Sequence, residues 1–161
     1  ATIANITRSI PYAILMLSLI PFTRWLTGSS VGAIAACVSL TMGAVPFFAR
    51  LVESALRDVH PGKVDAAHAM GSTRMQTVTK VLLPEAAPSL VAAVTTTVVT
   101  LIGYSAMAGL IGGGGLGHLA YSHGYQRFET SVQLITIAIL VGMVQLIQVL
   151  GDVVIRRVDH R

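Results

Sequence analysis

Two long stretches of this sequence carry no charged residue, and they limit its possible folds more than any other feature. Residues 89–110 are free of charge over 22 positions, and residues 130–150 over 21 positions. As an α-helix, each stretch is about 30 Å long, which is the thickness of the hydrocarbon core of a bilayer. The chain is 53% hydrophobic and 11% charged, with a mean hydropathy of +0.73. These values predict an all-α, polytopic helical membrane protein.

Two further apolar stretches predict additional spans. Residues 31–51 carry one charge, Arg50, at one end, where its long side chain can reach the lipid headgroups. Residues 9–23 are uncharged between Arg8 and Arg24, and they can span if the preceding residues extend the helix with a kink at Pro11. We therefore predict one transmembrane domain over residues 1–161, with spans at about 3–25, 31–51, 87–110 and 130–155.

Positive charges are distributed unequally between the two ends of these spans. Nine of the eleven Lys and Arg residues fall on one side, and only Arg24 and Arg127 fall on the other. Because cytoplasmic loops are enriched in positive charge, residues 54–84 and the C-terminus are predicted to be cytoplasmic. The basic residues neither cluster nor alternate with aromatic residues, so the net charge of +4 indicates membrane topology and not a nucleic-acid partner.

The sequence lacks the common motifs for catalysis and cofactor binding. It has no G-x-x-x-x-G-K-[ST] loop for ATP phosphates and no Ser, His and Asp arrangement in a recognisable nucleophile context. No two histidines have the i, i+4 spacing of a helical metal site, and Cys37 is the only cysteine. The G-x-G-x-x-G match at 112–117 follows a membrane span and not a strand, so it predicts a tight, flexible re-entry loop. We expect neither enzymatic activity nor a cofactor.

The predicted cytoplasmic segment, 54–84, contains signals for two short helices. Pro61 suits the first turn of a helix, and Gly71 suits the left-handed residue that ends one. Thr73 and Gln76 fit a capping box at the start of a second helix. That helix is predicted to stop or bend at Pro84.

An apolar stripe runs along the second of these helices. Met75, Val78 and Leu82 recur at i, i+3 and i+7, so they share one side of the helix. Periodicity leaves two interpretations open. The stripe packs against the spans of the same chain, or part of it docks a partner protein.

The same segment resembles the coupling motif of ABC importer permeases. In that motif EAA is followed by three residues, Gly, nine further residues, and an aliphatic-x-Leu-Pro ending. The spacing of this sequence fits throughout, with Asp65 in place of the family's Glu, which keeps the charge on a shorter side chain. The resemblance implies that an ATPase contact is formed by Asp65, Ala66, Ala67, Gly71, Leu83 and Pro84.

Other motifs resemble the permeases of bacterial methionine ABC importers, and this resemblance covers essentially the whole chain. The motifs are Arg8-Ser9-Ile10-Pro11, Ile20-Pro21-Phe22-Thr23-Arg24, Pro46-Phe47 to Arg50 with Glu53, and Gly103-Tyr104-Ser105-Ala106-Met107. The family's subunit has a type I permease fold with five spans. We therefore expect four spans here, the first of the five to be missing, and Ala1 to follow further upstream sequence.

The resemblance implies ATP-driven import of methionine, D or L, across the bacterial cytoplasmic membrane by alternating access. The implied partners are a second copy in a homodimer, two cytoplasmic ATP-binding subunits that hydrolyse ATP, a periplasmic or lipid-anchored methionine-binding protein, and membrane lipid. A permease for another small amino acid or nutrient is the alternative within importers. Outside that class, a secondary transporter or a structural membrane subunit remains. A proton-coupled transporter needs an ionisable group near mid-membrane, and the three clearest spans have none.

Several polar residues and one methionine within the spans are candidates for contacts with substrate or with other helices. Tyr104, Ser105 and Met107 suit a pathway or outer gate for an amphipathic amino acid, although Met107 could equally fill space between helices. Gln133, Gln145 and Gln148 lie in the last span, where an amide facing lipid is costly. These glutamines are therefore predicted to face another helix or water.

Overall fold

The computed structural model describes residues 11–159, and every regular element in this part of the chain is helical. Two short helices, α1 (Tyr12–Ser18) and α2 (Ile20–Thr27), lead into the long helix α3 (Ala33–Arg57). The connection after α3 contains α4 (Pro61–Ala69) and α5 (Arg74–Thr77). A π-helical turn, Val78–Leu82, then joins α5 to α6 (Leu83–Ala108).

Beyond α6 the chain turns back before its last helix. A second π-helical turn, Gly109–Gly113, leads into α7 (Gly115–Leu119), and a third, Ala120–Tyr125, follows it. The chain then enters α8 (Thr130–Val158). In the packed bundle α6 lies between α3 and α8 and contacts both.

Three helices among the described residues are long and apolar enough to cross a membrane. They are α3, the continuous helix Arg74–Ala108 that includes α5 and α6, and α8. These helices overlap the spans predicted at 31–51, 87–110 and 130–155. The first predicted span, 3–25, lies partly in residues 1–10, which are outside the described residues. Its described part consists of α1 and α2, which meet at Leu19.

The sequence predicted that the helix beginning at Arg74 would stop or bend at Pro84. It does not stop there. Pro84 lies in the first turn of α6, directly after the π-helical turn Val78–Leu82. Proline has no N–H to donate, and its ring crowds the preceding turn of a regular α-helix. A wider π-helical turn gives the ring more room. The helix therefore continues from the connecting segment into the span, over 35 residues.

The buried core lies where α1 meets α3 and α6. The ring of Tyr12 stacks on the ring of Tyr104, with centroids 4.3 Å apart and planes 5° from parallel. The Tyr12 hydroxyl lies 3.2 Å from Ser39 Oγ on α3, which satisfies a polar atom in an apolar setting. Met16 and Ala108 are buried beside this stack. These contacts attach α1 to both longer helices.

Glycines allow α7 to lie directly against α6. A Cβ at Gly117 would be 2.1 Å from the carbonyl oxygen of Ala106, and one at Gly109 would be 2.6 Å from the backbone nitrogen of His118. In the predicted re-entry loop, Gly112 and Gly113 also have close neighbours, at 2.5 and 2.7 Å from such a Cβ. The segment after α6 is therefore a closely packed turn at these positions.

A methyl group at Gly117 should disturb this packing. We expect Gly117→Ala to destabilise the fold by about 1–3 kcal/mol, because backbone atoms must move to make room. Gly142→Ala is the matched control, since no atom lies within 4 Å of a Cβ at Gly142 and alanine favours helix. Thermal unfolding of the two purified full-length variants measures the difference. Equal stability of Gly117→Ala and Gly142→Ala would contradict this packing.

Candidate coupling site

The segment that resembles a coupling motif begins with a capped helix. Pro61 is the first residue of α4, as predicted, and the Nδ1 atom of His60 accepts a hydrogen bond from the backbone N–H of Gly62 at 3.1 Å. A proline loses nothing in the first turn, where backbone N–H groups have no partner within the helix. These features fix the start of α4.

Gly71 ends α4 in the left-handed conformation, with φ of 77°, so this prediction is confirmed. The N–H of Gly71 donates to the carbonyl of His68 at 2.9 Å, and the N–H of Ser72 donates to the carbonyl of Ala67 at 3.1 Å. This pair of bonds is a Schellman motif, which satisfies the last carbonyls of a helix. The chain therefore leaves α4 in a defined direction.

The predicted capping box at the start of α5 is also confirmed. The N–H of Thr73 donates to Gln76 Oε1 at 2.9 Å, and the N–H of Gln76 donates to Thr73 Oγ1 at 3.4 Å. The hydroxyls of Ser72 and Thr77 lie 2.8 Å apart across the same turn. Hydrogen bonds thus hold both sides of the turn between α4 and α5.

An ion pair connects α4 to the first turn of α6. Lys63 Nζ contacts the Glu85 carboxylate across 22 residues of sequence. Both side chains are partly exposed, so the pair contributes at most about 1 kcal/mol to stability. Its main effect is geometric, because it links α4 directly to the helix that enters the span.

The residues of the predicted ATPase contact differ in exposure. Asp65, Ala66 and Gly71 are exposed, whereas Ala67 is buried. Leu83 and Pro84, both exposed, form the start of α6. Four of these six positions lie on α4 or on the turn that follows it, and the other two lie at the base of α6.

Two methionines project on either side of this turn. Met70 is 82% exposed and Met75 is 71% exposed, and Val78 is exposed on the π-helical turn beyond them. The described helices leave Met75 and Val78 exposed, whereas Leu82 is partly buried, which favours the interpretation that part of the apolar stripe docks a partner. Sequence reasoning missed Met70, although an apolar residue directly before a glycine turn was a usable signal. We call Met70, Met75 and Val78 the methionine face.

The structure does not bring the three residues predicted for the pathway or gate around one space. Tyr104 stacks on Tyr12 in the core. Ser105 faces an apolar cavity of about 500 Å³ bounded by α3, α6, α7 and α8. Met107, which follows Tyr104 at i+3, is 42% exposed. Because successive helical residues turn by about 100°, Ser105 and Met107 lie on nearly opposite sides of the helix.

Comparison with known proteins identifies the family. A family model described as the inner membrane component of binding-protein-dependent transport systems matches residues 1–161. The chain belongs to this permease family. As a permease of this family it is a subunit of an ABC transporter and a multi-pass membrane protein.

Two curated relatives of this permease have closely related names. It is 50% identical over 159 residues to MetI of Vibrio cholerae, a probable D-methionine transport system permease protein, with 99% of this chain and 71% of that protein covered. It is 44% identical over 161 residues to MetP of Bacillus subtilis, a methionine import system permease protein, with 100% and 72% covered.

Solved structures confirm the fold of this permease. A chain of the inward-facing MetNI methionine ABC transporter matches with a TM-score of 0.95 and 51% identity, over 99% of this chain and 74% of that chain. A chain of an amino acid ABC transporter matches with a TM-score of 0.80 at 24% identity, over 96% and 72%, which shows a shared fold. The fold is that of ABC importer permeases.

Substitution of Gly71 should loosen the coupling site. We expect Gly71→Val to cost about 1–3 kcal/mol in the turn, because a β-branched residue tolerates positive φ poorly. Gly71→Asn is the matched control, since asparagine accepts this conformation and a Cβ at Gly71 would meet open space. Tryptic cleavage after Arg74 should accelerate in the valine variant only. Identical cleavage rates in the two variants would contradict the claim that the positive φ at position 71 is needed for a stable turn.

Proposed function

We propose that this permease imports methionine, as the D or L isomer, across the bacterial cytoplasmic membrane by ATP-driven alternating access. The observation that supports this most strongly is the match to the MetNI methionine transporter, at 51% identity and a TM-score of 0.95 over 99% of the chain. The match covers the coupling site and all the described spans, and therefore includes the regions that we propose to meet cargo and partners.

The coupling site is proposed to dock a separate ATP-binding subunit, which hydrolyses the ATP. The methionine face offers flexible, polarizable side chains that adapt to a partner's groove. The small side chains of Ala66 and Ala67 let α4 approach that groove closely. Exposed apolar side chains at the tip of a polar segment are typical of a protein interface.

The proposed assembly is a homodimer of permeases with two ATP-binding subunits. In the topology predicted from the sequence, nine of the eleven Lys and Arg residues fall on the side of the coupling site, which supports a cytoplasmic location for this site and the C-terminus. A methionine-binding protein, periplasmic or lipid-anchored, delivers cargo to the opposite side. The permease itself alternates between two arrangements of its helices and catalyses no chemical reaction.

Polar substitution on the methionine face should weaken docking. Met75→Ser removes most of an apolar side chain that is 71% exposed in this subunit, so the fold should be unaffected. We expect about 1–3 kcal/mol of binding to be lost, and with it most of the ATP-binding subunit that co-purifies with the full-length permease. Met75→Leu retains the apolar surface and serves as the control. Undiminished co-purification of Met75→Ser would exclude this residue from the docking surface.

The cargo assignment can be tested with the complete transporter in liposomes. Uptake of labelled L-methionine should require ATP and should fall when unlabelled L- or D-methionine competes. Excess histidine or glutamine should compete poorly, because their polar side chains do not match an apolar thioether. Uptake driven by a proton gradient without ATP, or ATP-driven uptake insensitive to excess methionine, would contradict the proposal.

A further inference from the structure

The base of α6 is the least regular part of the continuous helix Arg74–Ala108. The π-helical turn Val78–Leu82 precedes it, and Pro84 and Pro88 lie in its first two turns. A proline has no backbone N–H, so neither of them donates a hydrogen bond to the helix. Prolines and π-helical turns are the usual places where long helices bend. This helix is therefore easiest to bend between residues 78 and 88.

The ion pair of Lys63 with Glu85 bypasses this part of the helix. Lys63 is the third residue of α4, and Glu85 lies beyond the π-helical turn, in the first turn of α6. Other ion pairs lie within the single helix α3, where Arg50 and Arg57 both pair with Glu53. The pair of Lys63 with Glu85 instead joins two helices. It attaches α4 to a point that the π-helical turn does not separate from the span.

Both helices are packed where this ion pair joins them. Ala86, the residue after Glu85, is buried, and the Glu85 side chain itself is only 25% exposed. On α4, Ala67 is also buried. Ala67 follows Lys63 by four residues, a spacing that places the two on one side of the helix. That side of α4 therefore faces the rest of the permease.

The opposite side of α4 faces away from the permease. Asp65 follows Lys63 by two residues, which turns it by about 200° around the helix. Asp65 is exposed, and it is one of the positions proposed to contact the ATP-binding subunit. The short helix α4 therefore lies between the proposed partner on one side and Glu85 on the other.

We propose that Lys63 and Glu85 are positioning residues that make α4 and the span move together when the ATP-binding subunit moves. This inference rests on the proposed function. With the ion pair intact, a displacement of α4 reaches α6 directly at Glu85. Without it, the same displacement bends the helix at the π-helical turn and does not reach the span. A partly exposed ion pair adds little to stability, so its contribution is to the coupling of ATP hydrolysis with transport.

Uptake of labelled L-methionine per ATP hydrolysed tests this proposal, with the full-length permease and its ATP-binding subunits in liposomes. We expect Lys63→Gln and Glu85→Gln each to lower this ratio at least about threefold, while ATP hydrolysis and co-purification of the ATP-binding subunit stay within about twofold. The exchanged pair, Lys63→Glu with Glu85→Lys, restores the attraction and should recover most of the ratio. Arg57→Gln is the matched control, because it removes an ion pair within α3 alone.

Three outcomes of this experiment would overturn the proposal. The first is an unchanged ratio in either single variant. The second is a lowered ratio that the exchanged pair does not recover, because the two residues would then act separately. The third is loss of the ATP-binding subunit from Lys63→Gln, which would place Lys63 in the docking surface itself.

Amide hydrogen exchange at residues 78–83 provides a test that does not depend on cargo. In the purified complex we expect exchange to be about two- to fivefold faster in Lys63→Gln and in Glu85→Gln, because this segment then opens more often. The exchanged pair should return to the original rate, and Arg57→Gln should keep it. Unchanged rates in both single variants would overturn the proposal. If methionine proved to be the wrong cargo, the exchange rates would still change, so the two failures are distinguishable.

Discussion

The bilayer core supplies no water to its helices, so each span must satisfy its own backbone polar groups, and the rest of this structure depends on that constraint. The helix from Arg74 to Ala108 satisfies this constraint by continuous helical hydrogen bonding over 35 residues, which include Pro84 and Pro88. One end of this helix belongs to the coupling site, and the other packs against α7. A continuous helix resists compression and bending, so displacement at Arg74 reaches Met107 without passing through a flexible loop.

Both ends of this helix are held by close, specific contacts. At the coupling end, the Schellman motif at Gly71, the capping box at Thr73 and the ion pair of Lys63 with Glu85 join α4 to α6. At the other end, α7 packs backbone to backbone on α6 through Gly117. π-helical turns adjoin α6 at both ends, and such turns frequently occur at functional sites. The first of these turns lies within the continuous helix, so movement is expected at the second, Gly109–Gly113, while the helix from Arg74 to Ala108 moves as a unit.

Much of this arrangement could be predicted because its signals are local. Stretches without charge identify long helices, and Gly71 and Thr73 identify the ends of the helices that they cap. The passage of a helix through Pro84 could not be predicted, since it depends on a π-helical turn that has no distinctive composition. The close approach of Gly117 to Ala106 depends on tertiary packing. The separation of Ser105 from Met107, in contrast, follows from helical geometry, because residues two positions apart lie on nearly opposite sides of a helix. This spacing could have shown from the sequence that the two residues do not line one gate.

The central claim is that the helix from Arg74 to Ala108 carries movement of the coupling site to the far end of the span. Pulsed electron paramagnetic resonance tests it most directly, with a nitroxide at position 100 in both copies of the full-length permease bound to its ATP-binding subunits. The account predicts that trapping ATP changes the distance between the two labels, and that Gly71→Val abolishes this change while ATP still binds. A distance that responds equally to ATP in the Gly71→Val variant would contradict the claim.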